Sequence, residues 1–130
     1  MTARLYRVIV PVNDIEAAER FYAAVLDTPG TRVSPGRHYF DCEGTILACF
    51  DPKADGDAHE AVPNHEWIYF AVDDLERTAG AFRDAFGDAS CEIQTQPWGE
   101  RSFYDRDPFG NKICFVERST VFTGANTDQG

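Results

Sequence analysis

Along this chain apolar residues first alternate with polar ones and then recur at helical spacing, and the whole sequence of periods happens twice. Sliding the sequence by sixty positions lays Arg7-Val8-Ile9-Val10-Pro11-Val12-Asn13-Asp14-Ile15-Glu16 on Trp67-Ile68-Tyr69-Phe70-Ala71-Val72-Asp73-Asp74-Leu75-Glu76. Such self-similarity at a fixed offset marks a duplicated structural unit. Each half opens as a strand followed by a carboxylate-rich helix start. In the first helix, expected near 14–27, Asn13 or Asp14 caps, Glu16 completes a capping box, and Ile15, Ala18, Phe21, Tyr22, Val25 and Leu26 form the apolar stripe. In the second, near 74–86, Asp73 or Asp74 caps, Leu75, Ala79, Phe82 and Phe86 form the stripe, and Gly87 ends it.

Three short β candidates follow each helix, near 31–34, 37–42 and 45–51 and again near 91–96, 101–106 and 112–117. Each half therefore reads β-α-β-β-β. The turn before the last strand is specified by Asp107-Pro108-Phe109-Gly110, with Asp at i, Pro at i+1 and Gly at i+3 of a type I turn; Glu43-Gly44 does the corresponding job in the first half. The expected organisation is a first module over 4–52, a polar linker over 53–64, a second module over 65–118 and a tail over 119–130. In that tail Val121 and Phe122 still pack, and residues from Gly124 onward are mobile.

Composition adds limits. With 130 residues, 43% hydrophobic and 26% charged, the chain makes one globular domain of α+β class that buries roughly two thirds of its unfolded surface. Twelve basic residues face 22 acidic ones, a net charge of -10, and no Lys/Arg stripe exists to neutralise phosphates, which argues against nucleic acid as partner. The acidity is either a solvated surface or a preference for cationic ligands or a salty cytoplasm. Val8-Ile9-Val10 is too brief for a signal-peptide core or a membrane span. Cys42, Cys49, Cys91 and Cys114 show no C-x-x-C spacing and read as reduced, mostly buried thiols, which fits a cytoplasmic location.

The duplicated module, the V-x-D-(I/L)-E start of each helix, Phe21-Tyr22, and Asp107-Pro108-Phe109-Gly110-Asn111 before the last strand together resemble the vicinal oxygen chelate superfamily, which includes glyoxalase I, bleomycin-binding resistance proteins and extradiol dioxygenases. The resemblance covers residues 4–118. It implies two cupped mixed sheets that face each other with a ligand between them. The superfamily's metal enzymes take one ligand from the first and one from the last strand of each module. Carried over, those positions fall on Arg7, Cys49, Trp67 and Cys114. Arg does not coordinate cations, Trp offers only an N–H donor, and two thiols alone are a soft, incomplete set, so no metal and no other cofactor is expected at the cup centre.

Alternation assigns the faces: if Val8, Val10 and Val12 pack on the helix, Arg7, Ile9 and Pro11 enter the cup, as do Trp67, Tyr69 and Ala71, Leu47 and Cys49 from the fourth strand, and Lys112 and Cys114 from the last. The ligand-binding candidates are Arg7, Ile9, Cys49, Trp67, Tyr69, Trp98 and Cys114. Arg7 either orients a ligand or pairs with a carboxylate on a neighbouring strand; Trp98 either closes one end of the cavity or packs at a subunit interface. His38 is either a general base facing the cup or an edge or surface histidine, whereas His59-Glu60 and His65-Glu66 are kept off one helical face by Pro63 and read as solvated loop. The cavity so drawn suits a homodimer that sequesters or carries a small organic molecule. The competing expectations are a lyase, isomerase or oxygenase, and an interaction module whose cavity its own side chains fill.

Overall fold

The computed structural model describes residues 2–124, so the segment from Ala125 onward, most of the expected mobile tail, lies outside the described residues. The chain runs β1 (Arg7–Pro11), α1 (Ile15–Leu26), β2 (Thr31–Ser34), β3 (Arg37–Cys42), β4 (Thr45–Phe50), β5 (Ile68–Val72), α2 (Leu75–Ala85), β6 (Gln94–Thr95), β7 (Arg101–Arg106), β8 (Lys112–Glu117) and a short 3-10 turn at Arg118–Thr120. Two four-stranded mixed sheets result, ordered β1-β4-β3-β2 and β5-β8-β7-β6, with β1/β4 and β5/β8 parallel and the remaining pairs antiparallel.

Local chemistry sets the boundaries. Asp14 and Asp74 are the N-caps, each carboxylate accepting the N–H three residues on, from Ala17 and Arg77, at 3.0 Å. Asp27 ends α1 in the left-handed region (φ 59°), and Glu43 and Gly44 (φ 54° and 104°) make the tight β3–β4 hairpin. Glu76 does not reach back to its own cap; it forms an ion pair with Arg101. The strand expected over 91–96 shrinks to two residues because the Asp105 carboxylate takes the N–H groups of Ser90 and Cys91, at 3.0 and 2.9 Å, that an extended ladder would need.

The helix-bearing faces of both sheets feed one core. α1 packs on α2, with Phe21 edge-on to Phe82 at 4.9 Å between ring centroids; Phe82 continues to Phe103 and Phe115, and Tyr22 to Phe40. A polar clip ties the halves together. The Tyr22 hydroxyl donates to Asp107 at 2.6 Å, and the Asn111 amide donates to Asp107 at 3.0 Å and to the Pro11 carbonyl at 2.7 Å. Asn64 gives its backbone N–H to Asn111 and its side-chain amide to the Ile9 carbonyl. Asp107 also accepts from Phe109 and Asn111 N–H inside its own turn. The Asp-Pro-Phe-Gly-Asn motif is thus both a turn and the anchor for α1.

Candidate functional site

Each sheet has a second face that takes no part in this core. Strand register arranges it in rows. On the first sheet the rows are Arg7–Ile46–Asp41, Ile9–Ala48–Tyr39 and Pro11–Phe50–Arg37. On the second they are Trp67 beside Lys112 and Arg106, then Tyr69–Cys114–Tyr104, then Ala71–Val116–Ser102. Among the described residues no hydrogen bond, ion pair or ring contact joins the open face of one sheet to that of the other.

Aromatic rings dominate the second open face. Tyr104 stands edge-on to Trp67 at 5.0 Å and to Tyr69 at 5.9 Å, and Lys112 Nζ lies 5.7 Å from the Trp67 ring centre. Glu100 builds one rim: its carboxylate accepts from the Trp98 indole at 2.8 Å and from the Phe122 N–H at 2.9 Å, fixing both over the sheet. A cavity of about 420 Å³ lies between that rim, Tyr69, Ala71, Tyr104 and Val116. Burial pushes the Cys114 thiol up to about 11 and raises Tyr104, so both are protonated hydrogen-bond donors at neutral pH rather than bases or nucleophiles.

On the first open face Arg7 has no carboxylate partner among the described residues; its guanidinium lies 4.8 Å from the Tyr6 ring centre and 5.2 Å from that of Tyr39. Arg37 sits 4.2 Å from the Phe50 ring centre, with Asp55 at a long 3.9 Å. A second crevice, about 810 Å³, opens between the edges of β1 and β5, floored by Val8, Leu47, Val25, Ile68, Phe70 and Val72.

The structure brings Trp67, Tyr69, Trp98 and Cys114 to one open face and Arg7 and Ile9 to the other. It corrects Cys49 and Leu47. They pair in register with Val10 and Val8 and point under α1, Cys49 fully buried, while Ala48 occupies the open-face position that Cys114 holds in the second sheet. The run Ile46-Leu47-Ala48-Cys49-Phe50 is apolar on both faces, so its alternation carries no sign of which side is which. His38 is corrected too: 2% exposed, it points to the helix side, one ring nitrogen 2.9 Å from the Pro29 carbonyl and the other 3.5 Å from the Arg32 guanidinium. Tyr39, Tyr104, Arg106 and Glu100 were not anticipated. With Phe103 in the core, strict alternation along β7 points to Tyr104 and Arg106.

With the register applied, the superfamily's ligand positions present Arg7, Ala48, Trp67 and Cys114, of which Cys114 alone carries a donor for a cation. Among the described residues no three His, Cys, Asp or Glu side chains converge. These residues do not fit a divalent metal.

Comparison with known proteins agrees with this fold. The model of the Glyoxalase/Bleomycin resistance protein/Dioxygenase superfamily matches residues 4–115. A glyoxalase/bleomycin resistance protein from Albidiferax ferrireducens T118 is 27% identical, with a TM-score of 0.70 over 87% of this chain and 98% of that one. A glyoxalase-related enzyme from Fulvimarina pelagi is 17% identical (TM-score 0.70, 89% and 88% covered), and the lactoylglutathione lyase of Agrobacterium tumefaciens 23% (TM-score 0.65, 89% and 94%); both share the fold. Among curated proteins none matches. A duplicated β-α-β-β-β chain whose sequence fits that model over 112 consecutive residues belongs to the Glyoxalase/Bleomycin resistance protein/Dioxygenase superfamily.

Proposed function

We propose that the protein is a cytoplasmic homodimer without a resident metal that binds a small organic molecule between its cupped sheets, sequestering or carrying it. The observation that carries this reading is the aromatic face of the second sheet: Tyr69, Tyr104 and Trp98 line a cavity of about 420 Å³, a size suited to a small ligand, Trp67 stands edge-on to Tyr104 beside it, and Tyr69 and Trp98 stay about half exposed. Exposed aromatic area of this kind is normally covered by a ligand or a partner.

The dimer rests on the free edges. Among the described residues β1 bonds only to β4 and β5 only to β8, both border the 810 Å³ crevice, Leu5 and Tyr69 line it, and Tyr6 and Ile9 lie exposed along β1. A second copy laid on these edges closes the crevice and supplies the facing cup, so that Arg7 and Ile9 of one protomer oppose the aromatic face of its partner. No helix among the described residues is long and apolar enough to cross a membrane.

The test uses 2-naphthalenemethanol as a neutral aromatic probe, titrated by calorimetry into a sample whose mass is measured by light scattering. A mass of two chains is expected. Trp67→Ala is expected to weaken binding by about 2 kcal/mol, roughly thirtyfold, with little change in the unfolding midpoint. A lowered midpoint with unchanged affinity makes the aromatic face core rather than site and overturns the reading.

A further inference from the structure

Acid outnumbers base 22 to 12 in this chain, so a cation without a carboxylate partner is not short of candidates. On the strands, the faces differ in how cations are treated. Arg32 and Arg101, which point to the helix side, are held by Glu19 and by Glu76 with Glu117. Arg7, Arg106 and Lys112, which point to the open side, form no ion pair among the described residues, and Arg37 reaches Asp55 only at 3.9 Å. Arg106 and Lys112 are direct register partners in one row with Trp67, and that row adjoins the row Tyr69–Cys114–Tyr104, whose two tyrosines line the cavity. Two like charges side by side repel, and Lys112 is half buried against an indole; both costs fall when an anion sits between them.

We propose that the ligand is an organic anion with a planar apolar body, its acidic head held by Lys112 and Arg106 and its body lying against Trp67, Tyr69 and Tyr104. This rests on the small-molecule reading above and narrows it to a ligand class. A carboxylate, sulfonate or phosphate head supplies the same chemistry: oxygens that accept from the ammonium and, bidentately, from the guanidinium. The Cys114 thiol and Tyr104 hydroxyl, both protonated, are donors one row away. The acidic exterior opposes such a ligand at long range, and salt screens that repulsion more than the short contacts to Lys112 and Arg106.

The experiment compares three probes with one ring system, 2-naphthoate, 2-naphthalenemethanol and 2-naphthylmethylammonium, by calorimetry on the full chain at neutral pH. Naphthoate is expected to bind about tenfold more tightly than the alcohol, and the ammonium more weakly than either. Lys112→Gln with Arg106→Gln is expected to erase the preference for naphthoate while leaving the alcohol's affinity in place, and Lys112→Arg to keep the preference. Alcohol or ammonium binding as tightly as naphthoate overturns the anion inference and leaves the small-molecule reading standing, as does a preference that survives the double variant. If none of the three probes binds, the small-molecule reading falls and this inference with it.

Discussion

The two faces of the same strands are built to opposite rules. Val10, Cys49 and Phe40 on one side of the first sheet, and Ile113, Phe115 and Phe103 on one side of the second, are fully buried. One residue along, Ile9 and Tyr69 are 40% and 56% exposed. The helix side is closed by interlocking rings and satisfied polar groups. Its charges are paired across elements, and the buried Asp107 accepts four hydrogen bonds. The open side keeps aromatic area and cations whose contacts are mostly with one another. One face therefore holds the fold together and the other is free to hold something else, and a strand serves both because its side chains alternate.

The largest effect expected from this contrast is at Phe82, whose ring meets Phe21 of the first half and Phe103 and Phe115 of the second. Phe82→Ala removes the piece that joins the two modules' cores and is expected to cost about 3–5 kcal/mol of stability, read as a lowered denaturant midpoint. A loss below about 1 kcal/mol means the helices do not share a core, and the division between the faces fails.

Much of this was legible in the sequence. The duplication, the two helix starts at Asp14 and Asp74 and six strands after the helices could be read because helical and strand periods leave different spacings, and because Asp, Gly and Pro mark their ends. The face of β4 could not be read, since Leu47, Ala48 and Cys49 are all apolar and all buried; only the pairing of Val10 with Cys49 decides it. Nor could the link from Tyr22 to Asp107, 85 positions apart, which looks like a core tyrosine on one side and a turn aspartate on the other. Of the open face, Arg7, Trp67 and Tyr69 followed from alternation. The row of Arg106 with Lys112 needed the register of β7 on β8, a long-range fact that local periodicity does not carry.

That Tyr22–Asp107 link gives the next effect. Tyr22→Phe removes one of the donors to a buried acceptor and is expected to cost about 1–3 kcal/mol at pH 7. The pH dependence has a definite sign on both sides. Burial raises Asp107 above its ordinary value, and the Tyr22 hydrogen bond pulls it partly back, so losing the hydroxyl raises it further. A group raised in the folded state contributes stability below its unfolded value that is lost as pH climbs through the folded one; the variant's deficit is therefore smaller near pH 4 than at pH 7. Tyr22 itself is raised by burial and by Asp107, so the wild type keeps its contribution below about pH 10 and loses it above, and there the deficit shrinks again. Denaturant titrations at pH 4, 7 and 10.5 check this; a deficit constant across all three removes the proton from the link.

The smallest effect compares two cysteines that are equally inaccessible but lie on opposite faces. Cys49 sits under Tyr22 and Asp107, and burial, with that negative charge, pushes it up to about 12. Cys114 lies on the open-face side of β8, and burial pushes it up to about 11, an effect the neighbouring Tyr104 and Ser102 hydroxyls partly offset. The offset by the hydroxyls leaves Cys114 the more readily ionised of the two, and the lower intrinsic nucleophilicity of a more acidic thiol takes back only part of that advantage. Iodoacetamide is thus expected to label Cys114 faster than Cys49, with each site followed by peptide mass spectrometry. A probe bound against Tyr69 and Tyr104 slows Cys114 and leaves Cys49 alone, because the sheet lies between them. Faster labelling of Cys49 would reverse the assignment of faces in β4. Equal rates would mean that both thiols react only through global unfolding, in which case raising the denaturant speeds the two together and the comparison of faces has to rest on Phe82 and Tyr22.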